Sequence, residues 1–224
     1  MNVDRLPIGI EKIDEIINKD NNLFVFCTRF LDDNFCSYKR RYCEYLLLKN
    51  LLERGSRVGV VHMSYGNSFE KLYMHQDGWK NSTVAKEQTE EFDIKASTTV
   101  MQYPLIEFKI FGNDIKYAID YIKSFLVDRV KYIFITNYDL DERGIKDLEE
   151  LHQIAKEKDV ILVVRAGYSF VKDKIPESIV RGIINFSEDK ESRDLTVSCV
   201  DKNGNWVKSK TMKLITDDGL GRIE

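Results

Sequence analysis

Four short apolar runs frame this chain: Leu23-Phe24-Val25-Phe26-Cys27, Val58-Gly59-Val60-Val61, Tyr132-Ile133-Phe134-Ile135-Thr136 and Val160-Ile161-Leu162-Val163-Val164. Each is too short for a helix and almost free of polar positions, the pattern of a strand buried on both faces of a parallel sheet. Ile106 to Phe111 alternates instead, like a half-buried strand. Between these runs lie helical patterns. One runs from about Ser37 to Glu53, and a polar, helix-prone region extends roughly from Ser68 to Lys95. A third places Ile115, Ala118, Ile119, Ile122, Phe125 and Leu126 at helical spacing behind a capping Asn113. A fourth spans about Gly144 to Lys158. This strand–helix–strand order predicts an α/β fold with a mostly parallel central sheet. The end of the chain differs: Gly182 to Phe186, Leu195 to Val200 and Trp206 to Ile215 read as strands with no helix between them. Asp201-Lys202-Asn203-Gly204-Asn205 is a hairpin signal, so the pattern predicts an antiparallel C-terminal extension. No repeat or boundary divides the chain, which predicts one domain over residues 1–224.

Composition narrows the function classes. Hydrophobic residues at 43% and charged residues at 32% match a soluble globular domain, large enough at 224 residues for a substantial core. The net charge of -3 argues against a strongly basic nucleic-acid-binding surface, although a local patch is compatible with it. No run approaches the roughly 20 apolar residues of a membrane span. The polar start Met1-Asn2-Val3-Asp4-Arg5 is not a signal peptide, so a cytoplasmic protein without membrane contact is expected. Cys27, Cys36, Cys43 and Cys199 show no CxxC spacing. Cys36 and Cys43 can share a helix face, but the spacing favours buried thiols over a metal pair. His62, His75 and His152 are scattered and read as structural.

Four segments carry a family resemblance. Leu6-Pro7-Ile8-Gly9-Ile10-Glu11-Lys12-Ile13-Asp14 is similar to the opening motif of the C-terminal motor domain of DnaB-type replicative helicases, within the wider RecA/KaiC group, with Ile8 in place of a Thr. Ile133 to Leu140 resembles the Walker B strand and its tail, and Leu148 to Val160 the helix and strand that follow. Thr196 to Trp206, with Lys202-Asn203-Gly204, resembles the late hairpin. The order and spacing of the four, rather than any one of them, make the likeness. It implies a RecA-like three-layer sandwich and, because the chain starts at the opening motif, no collar domain ahead of it.

The same resemblance implies where a nucleotide would sit, and the chemistry is missing there. The link Thr28-Arg29-Phe30-Leu31-Asp32-Asp33-Asn34-Phe35-Cys36-Ser37 stands where a glycine-rich phosphate loop ending in Gly-Lys-Ser/Thr belongs, yet no glycine occurs between Gly9 and Gly55. A phosphate cradle turns successive N–H groups inward, which needs glycine's backbone freedom, and Asp32 and Asp33 repel a triphosphate. The catalytic glutamate falls near Ser64, the Walker B aspartate on Asn137 and the sensor glutamine near Gly167. The trans-acting Arg aligns with Lys202, which lacks the bidentate fork, and its Lys with Val200. The implied protein is therefore non-catalytic, binds no cofactor, and works by contact in a DNA replication or recombination assembly. A helicase or its loader, single-stranded DNA or a second copy of the chain are the expected partners. The alternatives are an active ATPase or helicase-like protein, with ATP and Mg²⁺ held by Arg29, Lys39 and Asn137 in a rearranged phosphate site, and a KaiC-like signalling module.

Several side chains carry two readings. Lys39-Arg40-Arg41, near a helix start, can hold an anion or form a solvated basic turn beside Asp32 and Asp33. Tyr38, Tyr42 and Tyr45 can stack on bases, although their spacing favours core or interface. Asp139-Leu140-Asp141-Glu142 suits a cation or the capping of the next helix, the second being favoured. Lys202, Asn203 and Trp206 at the hairpin are interface or DNA-binding candidates, with Trp206 packing under its own sheet as the plain alternative.

Overall fold

The apolar runs form the middle of an eight-stranded sheet. The computed structural model describes residues 6–17, 21–28, 36–63, 105–110, 130–138, 142–166, 182–188, 194–200, 206–212, 214–217 and 220–223, together with residues 119, 176 and 179. Its strands are β1 (Leu23–Thr28), β2 (Val58–Met63), β3 (Leu105–Ile110), β4 (Tyr132–Tyr138), β5 (Ile161–Ala166), β6 (Ile183–Glu188), β7 (Leu195–Val200) and β8 (Trp206–Met212). They lie in the order β3-β2-β4-β5-β1-β6-β7-β8. The strands from β3 to β6 in that order pair in parallel, and β7 is antiparallel to both β6 and β8.

Two apolar layers account for this arrangement. On one face Val25, Ile133, Ile135, Leu162 and Val164 pack against Ile145, Leu148, Leu151 and Ala155 of helix α3 (Glu142–Glu157). On the other, Phe24, Phe26, Val60, Phe134, Val163 and Phe186 pack against Leu47, Leu48, Leu51 and Leu52 of helix α2 (Cys36–Glu53). Every residue of β2 and of β5 is buried, as expected for strands covered on both sides. The described buried hydrophobic positions of each helix, Cys43, Leu47, Leu48, Leu51 and Leu52 in α2 and Ile145, Leu148, Leu151 and Ala155 in α3, fall on one stripe that meets the sheet. The result is an α/β fold with helices on both faces of a mostly parallel sheet.

The connections follow from the strand order. From β1 the chain passes through α2 to β2, toward the β3 edge of the sheet. From β4 it passes through α3 to β5, in the opposite direction and over the opposite face, as a single crossover hand requires. Helix α3 closes with Asp159 in a left-handed conformation (φ 51) while Val160 N–H donates to Ala155 O at 2.9 Å, which turns the chain directly into β5.

The opening segment has its own physical logic. Gly9 has φ +86, and a Cβ there would lie 2.2 Å from Asn50 Nδ2. That amide instead donates to Ile8 O at 2.9 Å, while the Asp14 carboxylate accepts from Ile8 N–H and Gly9 N–H, both at 2.9 Å. Helix α1 (Glu11–Asp14) supplies the acceptor, and Leu6, Ile8, Ile13, Ile16 and Ile17 join the α2-side core. The spacing of Gly9 and Asp14 is thus the spacing of a closed turn latched onto α2.

Two expectations are corrected. Strand β6, read from sequence as the start of the antiparallel extension, pairs in parallel with β1; the extension begins at β7. Ile183, Ile184 and Phe186 are buried, and they join cores on opposite faces, the condition that favours an interior parallel strand. The stretch from Trp206 to Ile215 is also not one strand. It breaks after Met212, and β9 (Leu214–Asp217) pairs antiparallel with β10 (Leu220–Ile223) in a separate two-stranded sheet, with Leu220 opposite Asp217. The capped helix after Asn113 and the polar region from Ser68 to Lys95 lie outside the described residues, apart from a helical, buried Ile119. The placement of Tyr132–Thr136 inside the sheet, between β2 and β5, is as the apolar run predicts.

Two outcomes follow from this packing. A Cβ on Gly182 would stand 1.9 Å from Leu23 O, where Gly182 O accepts from Val25 N–H at 2.8 Å. Gly182→Ala should therefore push β6 from β1 and cost about 2–3 kcal/mol, read as a lower urea midpoint; an unchanged midpoint contradicts the close approach. His152, half-buried on α3, has its pKa lowered by burial and, less, by Lys156. Its folded-state pKa is then below the unfolded one, so the unfolded chain takes up the proton first as pH falls below about 6.5. Stability should decline from pH 7.5 to pH 5.5, and His152→Gln should flatten that decline in denaturation series at both pH values.

Candidate functional site

Open parallel sheets bind ligands beyond the carboxyl ends of their strands, where neighbouring connections leave in opposite directions. That reversal occurs here between β5 and β1 and again between β2 and β4. Both places carry buried polar side chains on the α2 face. His62, second from the end of β2, has Nδ1 3.0 Å from Thr136 Oγ1 of β4, with 1% and 2% exposure. Arg165, second from the end of β5, donates from Nη1 to Glu44 Oε2 of α2 at 3.2 Å. The strand register sets these groups side by side: His62 is opposite Thr136, and Arg165 is opposite Phe26 of β1.

Between them the ladder is broken. Ile135 pairs with Val164 and Tyr138 with Ala166, so Thr136 and Asn137 together face Arg165 alone, a bulge in β4. Asn137, the position where the resemblance expects the Walker B aspartate, is in this bulge. Thr136 follows Tyr132 and Phe134 in the strand's alternation and so lies on the α2 side beside His62.

Among the described residues, this edge holds the buried Arg165–Glu44 ion pair, whose side chains are 10% and 2% exposed. Two charges taken out of water recover their desolvation only through each other and through further hydrogen bonds. Arg165 Nε has no hydrogen-bond partner among the described residues, so the pair is costly to build and more costly to break. Its evident consequence is geometric, since it ties the third turn of α2 to the end of β5 across 121 residues of sequence. Next to Glu44, burial raises the Cys43 thiol well above its ordinary pKa, reinforced by the Glu44 and Asp14 charges, so this cysteine stays a protonated core residue. On the other face, Cys27 Sγ donates to Ile184 O at 3.6 Å and contacts Asn185 Oδ1 at 3.8 Å. Among the described residues, no group of three or more His, Cys, Asp or Glu could hold a metal ion.

The residues singled out from sequence divide into two sets at opposite ends of the sheet. Lys39, Arg40 and Arg41 lie in the first turns of α2, which follows the carboxyl end of β1; their side chains, like those of Tyr38, Tyr42 and Tyr45, are outside the described residues. Arg29, Ser64, Asp139, Asp141 and Gly167 also lie outside them, while Glu142 opens α3. Trp206 begins β8 and is opposite Val200, so residues 201–205, with Lys202 and Asn203, join β7 to β8. Cys199 of β7 pairs with Ile184, at the amino end of β6. The hairpin therefore leaves from the amino edge of the parallel strands, and the β1–α2 link from the carboxyl edge.

Sequence reasoning missed Glu44, Arg165, Asn50 and Asn185. A charged residue closing the apolar run Val163-Val164-Arg165, and a carboxylate among the apolar positions Cys43, Leu47 and Leu48, were the available signals. No known protein family matches this chain, and no curated protein matches it either. Among the described residues, no helix is long and apolar enough to cross a membrane.

The ion pair makes a sharp forecast. Glu44→Ala and Arg165→Ala should each cost about 3–5 kcal/mol, because each strands the other charge in the core. The double variant Glu44→Leu/Arg165→Met should recover most of the loss in urea denaturation. Single variants within about 0.5 kcal/mol of the parent would show that the pair does not hold α2.

Proposed function

We propose that this chain is a non-catalytic domain of RecA-like fold, related in design to the motor domain of DnaB-type helicases, which acts by binding within a DNA replication or recombination assembly. The observation that carries this reading is the link from β1 to α2. It leaves β1 at the sheet's switch point, where a nucleotide-binding α/β domain keeps its phosphate loop, yet it has no glycine and carries Asp32 and Asp33. Asn137, in the β4 bulge, offers a metal no charge. The latched opening segment, with Gly9 and Asp14 in their closed turn, supports the same kinship.

Partner contact is assigned to the two ends of the sheet. The β1–α2 link with Lys39-Arg40-Arg41 forms one surface, and the β7–β8 connection with Lys202, Asn203 and Trp206 the other. Surfaces at opposite ends of one chain meet only between molecules, as a head-to-tail contact with a second copy or with a helicase subunit or loader of similar fold. Single-stranded DNA is the nucleic-acid partner that the same basic surface would accept. A second reading, an ATPase with a rearranged site, draws on one feature: Lys39 falls in the first turn of an 18-residue helix, where an anion is favoured.

Calorimetry with Mg²⁺-ATP separates the two. Binding weaker than about 1 mM and no turnover are expected. Micromolar affinity, or hydrolysis abolished in Lys39→Ala, supports the second reading and overturns the first. For the contact surfaces, a Lys202→Ala/Trp206→Ala variant and a Lys39/Arg40/Arg41 triple alanine variant are compared with the parent by sedimentation and by capture of replication proteins. Loss of association in both, with the fold intact, is expected; full retention in both places the working surface elsewhere.

A further inference from the structure

We draw no further inference here: the strongest candidate, the buried side-chain cluster of His62, Thr136, Arg165 and Glu44 beneath the carboxyl edge of the sheet, belongs to the site already described, and nothing in the structure points to a ligand for it.

Discussion

Everything in this molecule hangs on β1 having no free side. Its edges are taken by β5 and β6, and Leu23 through Cys27 are buried on both faces. A strand in that position cannot reach water, so its backbone groups must pair within the sheet. The side chains that fill the two layers must come from helices on both sides. The Phe26–Phe186 pair, with ring centroids 5.4 Å apart, ties β1 to β6 on the α2 face. Because β1 is central, the link that follows it emerges at a reversal of connection direction rather than at a sheet edge. That position is what gives the link between Thr28 and Cys36 its functional interest.

The same constraint explains how polarity is distributed. Where both faces are dry, polar side chains survive only in pairs, and the α2 face carries two: His62 with Thr136, and Arg165 with Glu44. Both lie at the carboxyl ends of their strands and at places where neighbouring connections diverge. The β4 bulge beside them changes the side-chain alternation locally, a device found near functional edges. Beyond β6 the requirement relaxes. Leu195, Val197 and Cys199 are buried, while Thr196 and Ser198 between them are partly exposed, and Thr196 Oγ1 lies 3.1 Å from Thr211 Oγ1. Strand β7 is therefore one-sided, as antiparallel strands can be.

A fold of this kind separates scaffold from chemistry. The layers and crossovers are those of an α/β fold with helices on both faces of a mostly parallel sheet, and the link that follows β1 carries Asp32 and Asp33 but no glycine.

The sequence by itself determined the strands from β1 to β7 and the two long helices. A run such as Ile161 to Val164 has only one stable setting, a strand covered on both sides, and α3's apolar positions admit only one buried stripe. It also contained Gly9 and Asp14 within the opening motif, while the turn that they close is seen in the hydrogen bonds of the structure. What only the tertiary structure decided is which strands lie side by side. Apolar runs are interchangeable as neighbours, so the parallel pairing of β6 with β1, and the break after Met212, depend on contacts more than a hundred residues apart or on a competing local hairpin. The Arg165–Glu44 and Asn50–Ile8 contacts were hidden for the same reason: each joins residues that are distant in sequence and that become partners only when α2 settles on the sheet.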